Sequence, residues 1–128
     1  MKTASNKFSF KGRLRSFKYA FDGFKVLLKY EHNARLHLFF AFLAIIFGYL
    51  LKINTLEWLL IVFSIGFVFV AEIFNTCVEE ICNFICAAQN PKIKKIKDLA
   101  ALAVLFSAGT AGIIGAVIFA PKLISLFC

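Results

Sequence analysis

The sequence predicts an all-α integral membrane protein: three transmembrane helices plus an N-terminal amphipathic surface helix. Three observations carry this reading. Of the 128 residues, 61% are hydrophobic and seventeen are Phe, with a mean hydropathy of +0.82. A soluble domain does not carry that much apolar surface. Second, three apolar runs, near 34–53, 58–86 and 98–119, each reach the roughly 18–20 residues that cross the hydrocarbon. Third, Phe10, Leu14, Phe17, Phe21, Phe24 and Leu28 recur at alternating steps of four and three. Lys11, Arg13, Arg15, Lys18, Asp22, Lys25 and Lys29 fill the positions between. That pattern is an amphipathic helix with a basic face, which lies in the membrane interface rather than crossing it.

At this length the chain holds one domain at most. Residues 1–9 read as a basic tail, 10–33 as the interfacial helix and 34–122 as the three-span core. The long polar, basic start lacks the pattern of a cleaved signal peptide. Tyr30 to His37 reads as a polar hinge, and Lys52 to Glu57 as a tight turn with Asn54 or Thr55 as N-cap. Trp58 stands where an interfacial aromatic belongs. Pro91 is expected to break the second long helix, with a Lys-rich loop following it. The third span is expected to end at Pro121 and Lys122. Its Gly109, Gly112 and Gly115, with Ala108, Ala111 and Ala116, would let another helix approach closely.

The net charge is +8, and nine of the fifteen Lys and Arg stand at or before Arg35. Four more, Lys92, Lys94, Lys95 and Lys97, crowd the stretch after Pro91. In so apolar a chain the expected partner is anionic lipid head groups, with no nucleic acid. The positive-inside rule sets the N-terminus and the Lys92–Lys97 stretch in the cytoplasm and the C-terminus outside. Cys82 and Cys86 are i,i+4 neighbours, but nothing nearby completes a metal set, and they read as small apolar helix residues.

One stretch, Val70 to Asn83, breaks the apolar rule. On a helix Glu72, Asn75 and Glu79 fall within roughly 60° of one another, Asn83 extends the stripe, and Glu80 lies to the side. A carboxylate at membrane depth is expensive and marks a functional site. Two carboxylates and an amide in line can hold a divalent cation, move a proton and orient a hydroxyl. Glu31, at the head of the first span, and Lys97-Asp98, at the head of the third, converge on the same leaflet. Each also has a plainer reading, as a solvated charge, a snorkelling lysine and a helix-start acid.

The run Glu31-His-Asn-Ala-Arg-Leu-His37, the block Ala71-Glu-Ile-Phe-Asn-Thr-Cys-Val-Glu79 and the pair Lys97-Asp98 resemble the prokaryotic diacylglycerol kinase and undecaprenol kinase family. The resemblance covers roughly Phe10 to Lys122. It implies a bacterial inner-membrane homotrimer with active sites shared between neighbouring chains. It also implies an ATP- and Mg²⁺-dependent lipid kinase that phosphorylates the hydroxyl of a membrane lipid alcohol at the cytoplasmic interface. By the same resemblance Glu72 is the general base, Glu31 and Glu79 bind the metal, and Asn75 is a polar site residue. Lys97 and Asp98 would bind nucleotide, Tyr19 would lie near the adenine, and Arg13 or Arg15 would match a basic residue of the surface helix. Asn83 stands where the family usually has Asp, and Ala88-Gln89-Asn90 replaces a Glu-Tyr-His-like run. The Glu31–His37 run looks more like the undecaprenol kinase side.

Two readings of other classes compete. One is a catalytically silent oligomeric membrane protein or small transporter subunit, with Glu72 as a coupling acid. The other is a membrane-surface binding module that needs only the basic N-terminal helix.

Overall fold

The computed structural model describes residues 8–128, all of them in helices or the short joints between. Four helices follow in order: α1 (Phe10–Tyr30), α2 (His32–Leu50), α3 (Thr55–Ile85) and α4 (Pro91–Phe127). The first seven residues of the expected tail fall outside the described residues. α2, α3 and α4 are each long and apolar enough to cross a membrane. The most extensive packing is between α3 and α4; α2 lies chiefly on α3, and α1 on α2.

Ser9 caps α1, its Oγ accepting from the Gly12 N–H at 3.2 Å. The expected polar hinge narrows to one residue. Only Glu31 leaves the helical region, with φ −104° and ψ 109°, and α2 resumes at His32. The joint stays short because Arg35 reaches back to donate to the Lys29 carbonyl at 3.1 Å, capping the end of α1.

Ala34, Ala41 and Gly48 are the buried residues of α2, spaced by seven, so small side chains form its packing seam. The helix ends in a Schellman arrangement. Lys52 takes a left-handed φ of 53°. The Ile53 N–H donates to the Gly48 carbonyl and the Lys52 N–H to that of Tyr49. Asn54 then caps α3 in a full capping box, accepting from Glu57 N–H at 2.9 Å while Glu57 Oε1 accepts from Asn54 N–H at 3.0 Å.

The seam of α3 runs Ile61, Ser64, Val68, Glu72, Asn75 and Cys82. Its first half meets Ile53 and Ile118 in an apolar cluster near the α2–α3 turn. Its second half is polar. One packing face therefore holds a core at one end of the bundle and acids at the other.

Two expectations for α4 are corrected. The Lys92–Lys97 stretch is helix rather than loop, because Pro91 occupies the first helical position instead of breaking a helix. Asn90 caps it, accepting from Lys92 N–H at 2.8 Å. Nor does Pro121 end the helix, which continues to Phe127. The turn after the proline is tied to α3 by Lys122, whose Nζ lies 3.3 Å from Glu57 Oε1. A Cβ built on Gly109, Gly112 or Gly115 meets nothing within 4 Å among the described residues. Among the described residues no other helix approaches them closely.

Candidate functional site

Glu72 is fully buried, and among the described residues neither carboxylate oxygen has a hydrogen-bond partner. It is buried because it sits on the packing seam of α3, one turn after Val68, so the face that docks on the neighbouring helices carries it inward. Asn75, next on the seam, is also buried, with its Oδ1 unpartnered, as is the Thr76 hydroxyl. Buried polar atoms without partners carry a desolvation cost of roughly 1–3 kcal/mol each, more if charged. Their gathering on two turns of one helix marks a place built for something other than stability.

The nearest basic group is His37 of α2, whose Nε2 lies 3.7 Å from Glu72 Oε2. That is an approach rather than a formed hydrogen bond. His37 was not singled out as a site residue by sequence reasoning. A signal existed: a buried acid needs a partner, and His37 is the protonatable residue that interrupts the apolar run of α2 one turn inside its start.

Toward the α3–α4 loop the stripe opens. Glu79 is half-buried, Glu80 exposed. Glu31, half-buried at the α1–α2 joint, is brought close to both. Burial first, then the like charges of Glu79 and Glu80, hold the Glu31 carboxyl above the usual carboxylate range. Asn83 Oδ1 accepts from Lys97 Nζ at 2.6 Å, joining α3 to α4. Asp98 turns instead to Lys94, at 2.6 Å on the exposed side of α4. Lys94, Lys97, Asp98 and the Ala88-Gln89-Asn90 loop line an open pocket of about 660 Å³. Tyr19 is 64% exposed on α1 and has no hydrogen-bond partner among the described residues.

The fold thus brings Glu72, Asn75, Glu79 and Glu31 to one end of the bundle and sets Lys97 beside them through Asn83. Tyr19 forms no hydrogen bond with them among the described residues. Among the described residues no three His, Cys, Asp or Glu side chains form a metal-ligating group. Two crowded acids, Glu31 and Glu79, nevertheless suit Mg²⁺, which usually takes one or two carboxylates and completes its shell with water and phosphate.

A second, apolar groove of about 520 Å³ runs between α2, α3 and α4. Phe40, Phe47, Phe69 and Phe119 line it with Gly112 and Gly115, and His37 stands in its wall.

Three apolar spanning helices, an acid buried without a partner and lysines at the same end define a membrane protein with chemistry at one end of its bundle. The profile described as prokaryotic diacylglycerol kinase matches residues 18–119, and the chain belongs to that family. It is accordingly a lipid kinase. It is 36% identical over 109 residues to the undecaprenol kinase of Bacillus subtilis, covering 85% of this chain and 89% of that protein. It is 31% identical over 114 residues to the diacylglycerol kinase of Synechocystis sp., covering 88% of this chain and 65% of that longer protein.

Proposed function

We propose that the chain transfers the γ-phosphoryl group of ATP, with Mg²⁺, to the hydroxyl of a membrane lipid alcohol at the cytoplasmic face of the bacterial inner membrane. Undecaprenol is the first candidate, because the Bacillus subtilis relative, matched over most of its length, bears that name; diacylglycerol is the second. The observation that carries the reading is the fully buried, unpartnered Glu72, two turns from Glu79 on one stripe.

In this reaction Glu72 accepts the hydroxyl proton, and Asn75, its amide oxygen unsatisfied, orients the polar atoms around it. Glu31 and Glu79 hold Mg²⁺, which when bound neutralises phosphate charge. Lys97 and Asp98 bind the nucleotide from the first turns of α4, and the 660 Å³ pocket beside them is wide enough to admit it. Tyr19 and an arginine of α1, Arg13 or Arg15, approach the nucleotide from the surface helix.

Residues 10–33 lie along the membrane surface on anionic head groups, the N-terminus in the cytoplasm and the C-terminus outside. Residues 34–122 form the catalytic core. Three copies assemble with sites shared between neighbours. The exposure of Phe39, Phe42, Phe63, Phe74 and Phe106 on the spanning helices supports burial against lipid or another copy.

The test is a parallel assay with Mg-ATP, offering undecaprenol and diacylglycerol separately to wild type and Glu72→Gln in mixed micelles. Turnover of one lipid by wild type alone is the expected result. Silence on both lipids from a folded sample would count against the substrate class. Activity surviving in Glu72→Gln would remove the base.

A further inference from the structure

Among the described residues the hydroxyl of Thr76 differs from every other that lies past the first turn of a helix. Ser16, Ser64 and Thr110 each donate to the carbonyl four residues back, and Ser107 and Ser125 to the one three residues back. That is the ordinary resort of Ser and Thr inside a helix. Thr76 stands in the middle of α3 with the same kind of carbonyl in reach, yet its Oγ1 has no partner among the described residues. The oxygen is buried while the residue as a whole is half-buried, so the hydroxyl rather than the methyl group faces inward.

The helix sets what this hydroxyl faces. Thr76 lies about 40° round from Glu72 and about 60° from Glu79, at about 6 Å above the first and about 4.5 Å below the second. It stands between the two acids on their shared stripe. Glu72 and Glu79, when ionised, only accept hydrogen bonds. Between two acceptors sits a neutral O–H with its proton unspent.

We propose that Thr76 is a further catalytic residue of the lipid kinase, its Oγ1–H donating a hydrogen bond to an oxygen of the γ-phosphoryl group in transfer. This rests on the reading of the chain as a lipid kinase with Glu72 as base and Glu79 at the metal. In-line transfer puts the attacking oxygen beside Glu72 and the leaving oxygen toward Glu79, so the phosphorus crosses the level of Thr76. The lipid hydroxyl gives its proton to Glu72. Its oxygen bonds to the γ-phosphorus while the bond from that phosphorus to the β–γ bridging oxygen breaks, and ADP leaves with that electron pair. Thr76 keeps its own proton throughout. Its O–H dipole meets negative charge on the equatorial oxygens, which the neighbouring carboxylates would repel. Because the hydroxyl is already desolvated and holds no bond to the protein, nothing has to break before it can act.

The experiment compares wild type, Thr76→Val, Thr76→Ser and Glu72→Gln in mixed micelles, with undecaprenol or diacylglycerol and either Mg-ATP or its γ-thio analogue. Thr76→Val keeps the branched shape and loses the hydroxyl. Its kcat should fall by about 10- to 100-fold with the KM for ATP and for lipid within about twofold of wild type. Its Tm should equal or exceed that of wild type, since an unpaired buried hydroxyl is removed. Thr76→Ser, which keeps the hydroxyl, should recover most of the rate. Sulfur is a weak acceptor, so the preference of wild type for ATP over the γ-thio analogue should shrink at least about threefold in Thr76→Val.

Thr76→Val with kcat within about threefold of wild type, or with an unchanged preference for ATP, would overturn the assignment. So would an equal loss in Thr76→Ser with a lowered Tm, which marks a packing role, or a raised requirement for Mg²⁺, which would put the hydroxyl on the metal. An inactive wild type would instead defeat the kinase reading itself. Full activity in Glu72→Gln would defeat the base alone, leaving the thio preference of Thr76→Val to decide the hydroxyl.

Discussion

Lys97 Nζ donates to Asn83 Oδ1 at 2.6 Å, and this bond fastens the first turns of α4 to the end of α3. The acceptor is an uncharged amide, so Lys97 keeps its full charge while its position is fixed, which is what the proposed nucleotide role requires. Asn83→Asp would cancel that charge. The expected outcome is a KM for ATP raised by about three- to tenfold at little-changed kcat. Lys97→Ala should raise it further. An unaltered KM in both variants would show that Lys97 does not meet the nucleotide.

Glu72→Gln should separate stability from activity. The substitution keeps the shape and puts a neutral amide in place of a buried carboxyl without a formed partner, so the folded state should gain on the order of 1 kcal/mol or lose nothing. Activity should fall by about three orders of magnitude. Thermal unfolding in detergent beside the kinase assay checks both, and a lower Tm would contradict the description of the site.

Gly48 has no room for a side chain. An added Cβ would stand 2.8 Å from the Trp58 ring and 3.0 Å from Ile53 Cδ1. Gly48→Ala should cost about 1–3 kcal/mol, because a stiff indole ring cannot step aside without disturbing the turn. Lys52, four residues on, has the opposite problem. Its φ of 53° suits glycine, so Lys52→Gly should stabilise the turn by about 1 kcal/mol. Denaturation midpoints of the two variants should move in opposite directions.

Glu31 gives a pH dependence. Its folded carboxyl titrates above its unfolded value, through burial and then through Glu79 and Glu80. The folded state therefore holds its proton where the unfolded state has lost it. The associated stability is present below the unfolded value and is lost as pH rises through the folded one. In chelator, Tm should fall across that window, and Glu31→Gln should flatten the fall. A slope unchanged in Glu31→Gln would point to another group.

Asn54 and Glu57 were readable as a helix start because a capping box is a local pattern. The three spans were readable because a long apolar run needs no partner to be identified. Pro91 and Pro121 misled for one reason: a proline marks where an N–H is missing but not whether the helix starts or passes there. Pro91 begins α4 because Asn90 caps it, and α4 survives Pro121 with Lys122 held by Glu57. Of the site, the α3 stripe was visible because 3.6-residue periodicity aligns Glu72 with Asn75 and Glu79. His37 was not, since its approach to Glu72 joins two helices and depends on how far each is rotated. The Asp98–Lys94 pairing was hidden by taking a helical stretch for a loop, which erased its i,i+4 spacing.

Glu72 lies seven residues below Glu79 on a continuous helix, which is about 10 Å at 1.5 Å per residue. A lipid alcohol can bring a bare hydroxyl to that depth at small cost. Its phosphorylated product cannot stay there, since a phosphate monoester carries up to two negative charges and would share low-dielectric surroundings with an acid that has no formed ion pair. Turnover itself thus evicts what it makes. With Glu72 as the proposed base, its depth would work as a valve, letting neutral head groups sink and sending charged ones back to the surface, so that accumulated product should inhibit weakly.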